Sequence, residues 1–83
     1  MVIKIFSIFD KATGVYSQPH FMLHKGQMIR AFSDEVNNPE SQFFKHPGDF
    51  ALYLLGEYDD NSGALSPLAQ PEFVCSAVEF KSK

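Results

Sequence analysis

The stretch that most limits the folds open to this chain is His46-Pro47-Gly48-Asp49-Phe50-Ala51-Leu52-Tyr53-Leu54-Leu55-Gly56-Glu57-Tyr58-Asp59-Asp60-Asn61-Ser62-Gly63. Pro47-Gly48 is a turn signal. Phe50 to Tyr58 is the longest apolar run in the chain, and the polar cluster that follows closes it. A run of that length between turn residues reads as a strand buried on both faces, because Gly56 and the flanking breakers argue against a helix. It is expected to be the central strand of a sheet. These residues by themselves carry no catalytic motif.

Val2-Ile3-Lys4-Ile5-Phe6-Ser7-Ile8-Phe9 is rich in β-branched and aromatic residues, so a second inner strand is expected there, with Lys4 near its frayed start. Asp10-Lys11-Ala12-Thr13-Gly14 then turns the chain into Val15-Tyr16-Ser17. The Asp can accept from backbone N–H groups ahead of it, and Gly14 suits the left-handed residue of a type I turn with a following bulge. The same order of aromatic, Asp, hydroxyl, Gly, two apolar residues and Ser returns at Tyr58-Asp59-Asp60-Asn61-Ser62-Gly63-Ala64-Leu65-Ser66, which predicts a second hairpin.

Between the hairpins, Met28, Ile29, Phe32 and Val36 form an amphipathic stripe, with Arg30, Ser33, Asp34 and Asn37 facing elsewhere. The helix should start near Lys25-Gly26 and stop at Asn37-Asn38-Pro39. Residues 38–47 read as a loop that holds Phe43 and Phe44 beside Lys45 and His46. Ser66-Pro67-Leu68-Ala69-Gln70-Pro71 is too interrupted by proline for regular structure. Glu72 to Phe80 fits a strand and a short helix equally, and Lys81-Ser82-Lys83 reads as a frayed tail. The predicted architecture is a single α+β domain over residues 1–83: an antiparallel sheet of two β-hairpins with one amphipathic helix packed on a face.

At 83 residues such a domain buries only somewhat over ~60% of its unfolded surface. Nine phenylalanines and three tyrosines supply large apolar area per residue in partial compensation. Open sheet edges and a small core favour a homo-oligomer, with a dimer as its simplest form. The net charge is −3, with five Lys/Arg against four Asp/Glu through His46 and two against six from Pro47 onward. That balance excludes a generically basic nucleic-acid binder. The lone Cys75 excludes an internal disulfide framework and fits a reducing compartment, as a small buried side chain. Met1 to Phe9 is too short for a membrane span or a signal peptide, so the chain is expected to work in the cytoplasm without a membrane partner.

Catalytic and metal chemistry find little to stand on. His20 and His24 have the i, i+4 spacing of helical metal ligands but lie in extended chain with no carboxylate cluster beside them. Asp59 and Asp60 lack the ligand spacing and closing Glu of a calcium loop. No base stands near Cys75 or a serine in sequence, and no glycine spacing matches a phosphate-binding motif. The expectation is no enzyme, no catalytic residues, no metal and no cofactor. One constellation could carry binding: Phe21, His24, Lys25, Arg30, Phe43, Phe44, Lys45 and His46 flank the helix on both sides. Aromatic faces beside cations are what single-stranded nucleic acid uses. Asp34, Glu35 and Glu40 in the same segment offset the positive charge.

Taken together, the opening strand with Phe9-Asp10, Gly14, Tyr16 and Pro19-His20-Phe21, the helix core Met28-Ile29-Arg30-Ala31-Phe32 with Val36-Asn37, His46-Pro47-Gly48-Asp49-Phe50, and Leu52-Tyr53, Gly56-Glu57-Tyr58-Asp59 and Ser62-Gly63 form a pattern. Over about residues 5–63 it resembles the small non-structural protein of gokushovirus-type microviruses, tailless phages with a single-stranded DNA genome. The resemblance implies a DNA-binding protein, or one acting in the switch from genome replication to single-strand packaging, in the host cytoplasm. It brings no catalytic residues and no DNA-contact residues. The expected partners are single-stranded DNA and a second copy of the chain. The alternative is an oligomeric module that contacts a viral replication, scaffold or capsid protein, or a host protein, through the acidic second half.

Overall fold

The computed structural model describes residues 1–81; of the tail expected to fray, Ser82 and Lys83 lie outside them. Strands β1 (Val2–Asp10) and β4 (Phe50–Asp59) run antiparallel through the middle of the sheet, Ile8 opposite Leu52 and Phe9 opposite Ala51. Strand β2 (Val15–Tyr16) and then β3 (His20–Met22) line the outer side of β1, and β5 (Ala64–Ser76) lines β4, giving the order β2-β1-β4-β5. Both inner strands are the ones their two-faced apolar sequences predict.

The two hairpins are built alike. Asp10 Oδ1 accepts from Ala12 N at 3.0 Å and Asp59 Oδ1 from Asn61 N at 2.9 Å. Gly14 N and Gly63 N each donate to the carbonyl of the same Asp at 2.7 Å, with φ of 72° and 77°. That left-handed backbone strains any side chain with a Cβ, so the two glycines specify the turns.

Helix α1 (Lys25–Val36) lays Met28, Phe32 and Val36 on one face of the sheet, against Phe6, Ile8, Leu52, Cys75 and Ala77. Each of the larger apolar side chains among these, from Val36 up to the phenylalanines, contributes on the order of 1.5–3 kcal/mol through removal from water. Asn37 stops the helix, its Nδ2 donating to the Ser33 carbonyl and, across the fold, to that of Phe80, both at 3.0 Å. The segment expected to be a plain loop contains a short helix, α2 (Gln42–Lys45), because Ser41 Oγ accepts from Phe43 N at 3.0 Å and caps it.

The proline-rich segment departs from its expected irregularity, since residues 66–71 lie within β5. An edge strand tolerates proline because its outward N–H has no ladder partner to lose. Pro67 sits opposite Gly56 and Glu72 opposite Leu54, so residues 68–71 bulge out of the ladder between those pairs. Gly56 makes that pairing possible: a Cβ there would lie 2.5 Å from the Ser66 carbonyl oxygen and 2.7 Å from Pro67 Cα. The ambiguous stretch from Glu72 onward takes both forms in turn, strand to Ser76 and a 3-10 turn over Ala77–Phe80. The switch falls at a capping box, where Ser76 N donates to Glu79 Oε2 at 2.8 Å and Val78 N to Ser76 Oγ at 3.4 Å.

Candidate nucleic-acid interface

The eight residues singled out from sequence do not converge on one surface. Phe43 on α2 packs into the core, its ring centroid 5.7 Å from that of Phe32 and 4.6 Å from that of Phe50. Phe44 is half-buried and covered by Lys81, whose Nζ stands 3.3 Å from the ring centroid and donates to the Phe44 carbonyl at 3.1 Å. Lys45 and His46 are exposed at the end of α2. His24 is the exposed N-cap of α1 and Lys25 its exposed first residue. Arg30 is exposed roughly 200° round the helix from Met28, so it points away from the core. Phe21 lies apart from all of these. On β3, opposite Ile5, it projects from the far side of the sheet, its ring 6.1 Å from that of Tyr58.

That far side is the concentrated feature. Alternation along β1 sends Phe6 and Ile8 to the helix, and Ile3, Ile5, Ser7 and Phe9 to the opposite face. The register places Tyr16, Ala51, Tyr53, Tyr58, Leu65, Pro67 and Phe73 on the same face. Four rings form a ladder across the sheet, one from each of β5, β4, β1 and β2. Phe73 and Tyr53 lie 5.8 Å apart, Tyr53 and Phe9 6.1 Å, Tyr53 and Tyr16 5.7 Å, and Phe9 and Tyr16 4.7 Å. Phe73 is 55% exposed, Tyr16 41% and Phe21 52%, whereas Ser7 and Ala51 beneath the rings are fully buried. None of these positions carries a charged side chain. Sequence reasoning overlooked Phe9, Tyr16, Tyr53, Tyr58 and Phe73. The signal was the period-2 alternation itself, hidden because both faces of β1 and β4 are apolar.

On the helix side, a groove of about 540 Å³ opens between α1, α2 and the β2–β3 edge. Ile8, Met28, Phe32 and Phe43 floor it, and His20, Glu35 and Gln42 stand at its mouth. Among the described residues, no Lys or Arg lines it. Cys75 is buried under α1, and burial first, with Glu79 nearby second, pushes its thiol up to about 11, against a weaker opposing pull from Lys25. A thiol held neutral in that way is a poor nucleophile at neutral pH.

A family model described as phage ORF5 protein matches residues 3–80. The chain belongs to the phage ORF5 protein family. No curated protein and no solved structure matches it. The matched span of this phage ORF5 protein runs from β1 through the Ala77–Phe80 turn, so the ring ladder and the helix both lie within the family's own sequence. Among the described residues, no helix of the phage ORF5 protein is long and apolar enough to cross a membrane.

Proposed function

We propose that this phage ORF5 protein is a non-enzymatic accessory protein of a gokushovirus-type microvirus that binds single-stranded DNA during genome replication or packaging. It would act in the host cytoplasm. The observation that supports this reading is the ring ladder on the helix-free face of the sheet. Unpaired bases stack on aromatic side chains whatever their sequence, each contributing on the order of 1–3 kcal/mol. Presenting the rings on a sheet fixes their positions, so little conformational freedom is lost when a base arrives. Membership in a phage family supplies the biological setting.

A second reading rests on a separate observation. Among the described residues, the same face is aromatic and carries no charged side chain, which is also the composition of the buried centre of a protein interface. On that reading the protein is a homo-oligomer or a module that docks a viral replication or capsid protein.

Fluorescence anisotropy of a labelled single-stranded oligonucleotide at low salt tests the first reading. Saturable binding is expected, and no binding with the protein at high micromolar concentration refutes it. Pull-down from infected cells with nuclease controls separates the two: nuclease-sensitive recovery of DNA supports the first, and a protein partner retained after nuclease supports the second.

A further inference from the structure

We infer that the ladder holds DNA by its bases rather than its phosphates, and that its ligand is an extended, unpaired stretch of strand; this rests on the DNA-binding reading above. Lys4 projects to the other face and pairs with Glu57 at 3.7 Å. Lys11 sits at the tip of the first hairpin, Lys25 and Arg30 on α1, Lys45 on α2, and Lys81 over the Phe44 ring. No described Lys or Arg therefore stands among the rings. Affinity for a strand laid there gains almost nothing from counterion release, the source of the usual salt dependence.

Spacing points to the form of the ligand. Successive rings from Phe73 to Tyr53 to Tyr16 are 5.8 and 5.7 Å apart. Bases stacked on one another in a duplex are separated by only about 3.4 Å along each strand. A strand that puts one base against each ring must open its own stack; a duplex would have to unstack every such step at a cost of about a few kcal/mol each, whereas an unpaired strand has no paired stack to open. No ring pair in the ladder is stacked face to face, the interplanar angles running from 43° to 83°; an edge-to-face contact covers one face of one ring of the pair and leaves the other ring's faces open. Phe73 and Tyr16, the two most exposed rings of the ladder, stand at its ends and are the first places for a base to land.

The chain carries its own probe for this face. All three tyrosines, Tyr16, Tyr53 and Tyr58, lie on it and the chain has no tryptophan, so intrinsic fluorescence reports the face alone. The experiment titrates the full chain with a fluorescein-labelled oligodeoxyadenylate and with the corresponding adenine–thymine duplex, by anisotropy. Tyrosine emission is followed in parallel with the unlabelled strands. Between about 50 and 200 mM salt the single-strand affinity is expected to fall by no more than about threefold, the loss for one phosphate contact. Tyrosine emission should be quenched, and the duplex should not bind. Phe73→Ala and Tyr16→Ala, at exposed positions where folding is checked by circular dichroism, should each weaken binding by about fivefold or more.

Three results would overturn the inference while leaving single-strand binding in place. These are a loss of more than about tenfold over that salt range, equal affinity for the duplex, or weakening by Lys25→Ala with Lys45→Ala but not by the two ring variants. Failure of every oligonucleotide to bind would instead remove the DNA reading on which the inference rests.

Discussion

Replacing Gly56 with alanine tests the geometry on which the sheet depends. The added Cβ would meet the Ser66 carbonyl oxygen at 2.5 Å and Pro67 Cα at 2.7 Å, where ordinary contact begins at 3.4 Å. Both obstructing atoms are backbone, so no side chain can swing aside. Strand β5 must retreat by about an ångström or leave the ladder, at an overpacking cost of roughly 2–3 kcal/mol. A domain of this size is stabilised by only about 4–12 kcal/mol in all. The melting temperature should therefore fall by about 10–20 °C. Gly26 provides the internal control. It lies in the first turn of α1 with nothing within 4 Å of its Cβ position, so Gly26→Ala should be neutral or stabilising by up to about 1 kcal/mol. Urea and thermal unfolding followed by far-ultraviolet circular dichroism measure both. If Gly56→Ala unfolds within about 0.5 kcal/mol of the parent chain, a range typical of unremarkable surface changes, the close approach of β5 is not a constraint and the reasoning fails.

The Cys75 thiol, buried and pushed up to about 11, should react with a disulfide reagent at pH 8 far more slowly than the unfolded chain does; equal rates would mean that the cysteine is open to solvent. At the far hairpin, the Met1 ammonium donates to Asp60 Oδ1 at 2.7 Å, and chiefly this hydrogen bond raises it above its ordinary 8.0. Asp59 is lowered from 3.8, chiefly because its carboxylate accepts from the Asn61 N–H. The amine's contribution is complete below pH 8.0 and is lost as pH rises through the raised value; that of Asp59 is complete above 3.8 and is lost as pH falls through the lowered one. Asp60→Asn should therefore flatten the alkaline decline of the melting temperature and leave the acid side much as it was, and parallel curves for parent and variant would refute the assignment. Phe32→Ala, at a side chain only 1% exposed, should cost about 3–5 kcal/mol, a large share of the domain's stability, read as a lowered urea midpoint; a loss under about 1 kcal/mol would mean that the ring is not part of the core.

Local chemistry in the chain was enough to specify both hairpins, α1 and the two inner strands. In each case the signal and the force act over a few residues: an Asp oxygen over the next N–H groups, a left-handed glycine, an apolar stripe with a helical period. Residues 66–71 were misjudged because proline forbids a ladder bond only on its own N–H. Whether that N–H points at a neighbour or at open water depends on which strand lies at the edge, and sequence order does not say. The stretch from Glu72 onward resisted assignment for a related reason, since its strand half and its turn half meet at the Ser76–Glu79 cap and average to neither pattern.

The candidate binding residues divide along the same line. Phe43 and Phe44 beside Lys45 looked like a nucleotide cradle in sequence, but the fold turns Phe43 against Phe32 and Phe50 and places Lys81 over Phe44. That rings are plentiful and cations few is plain from composition, which needs no folding. Which rings enter the core and which stay in water is set by the packing of the helix on the sheet. One helix can cover one face of a sheet, and the face it leaves uncovered is the one on which four strands gather Phe73, Tyr53, Phe9 and Tyr16.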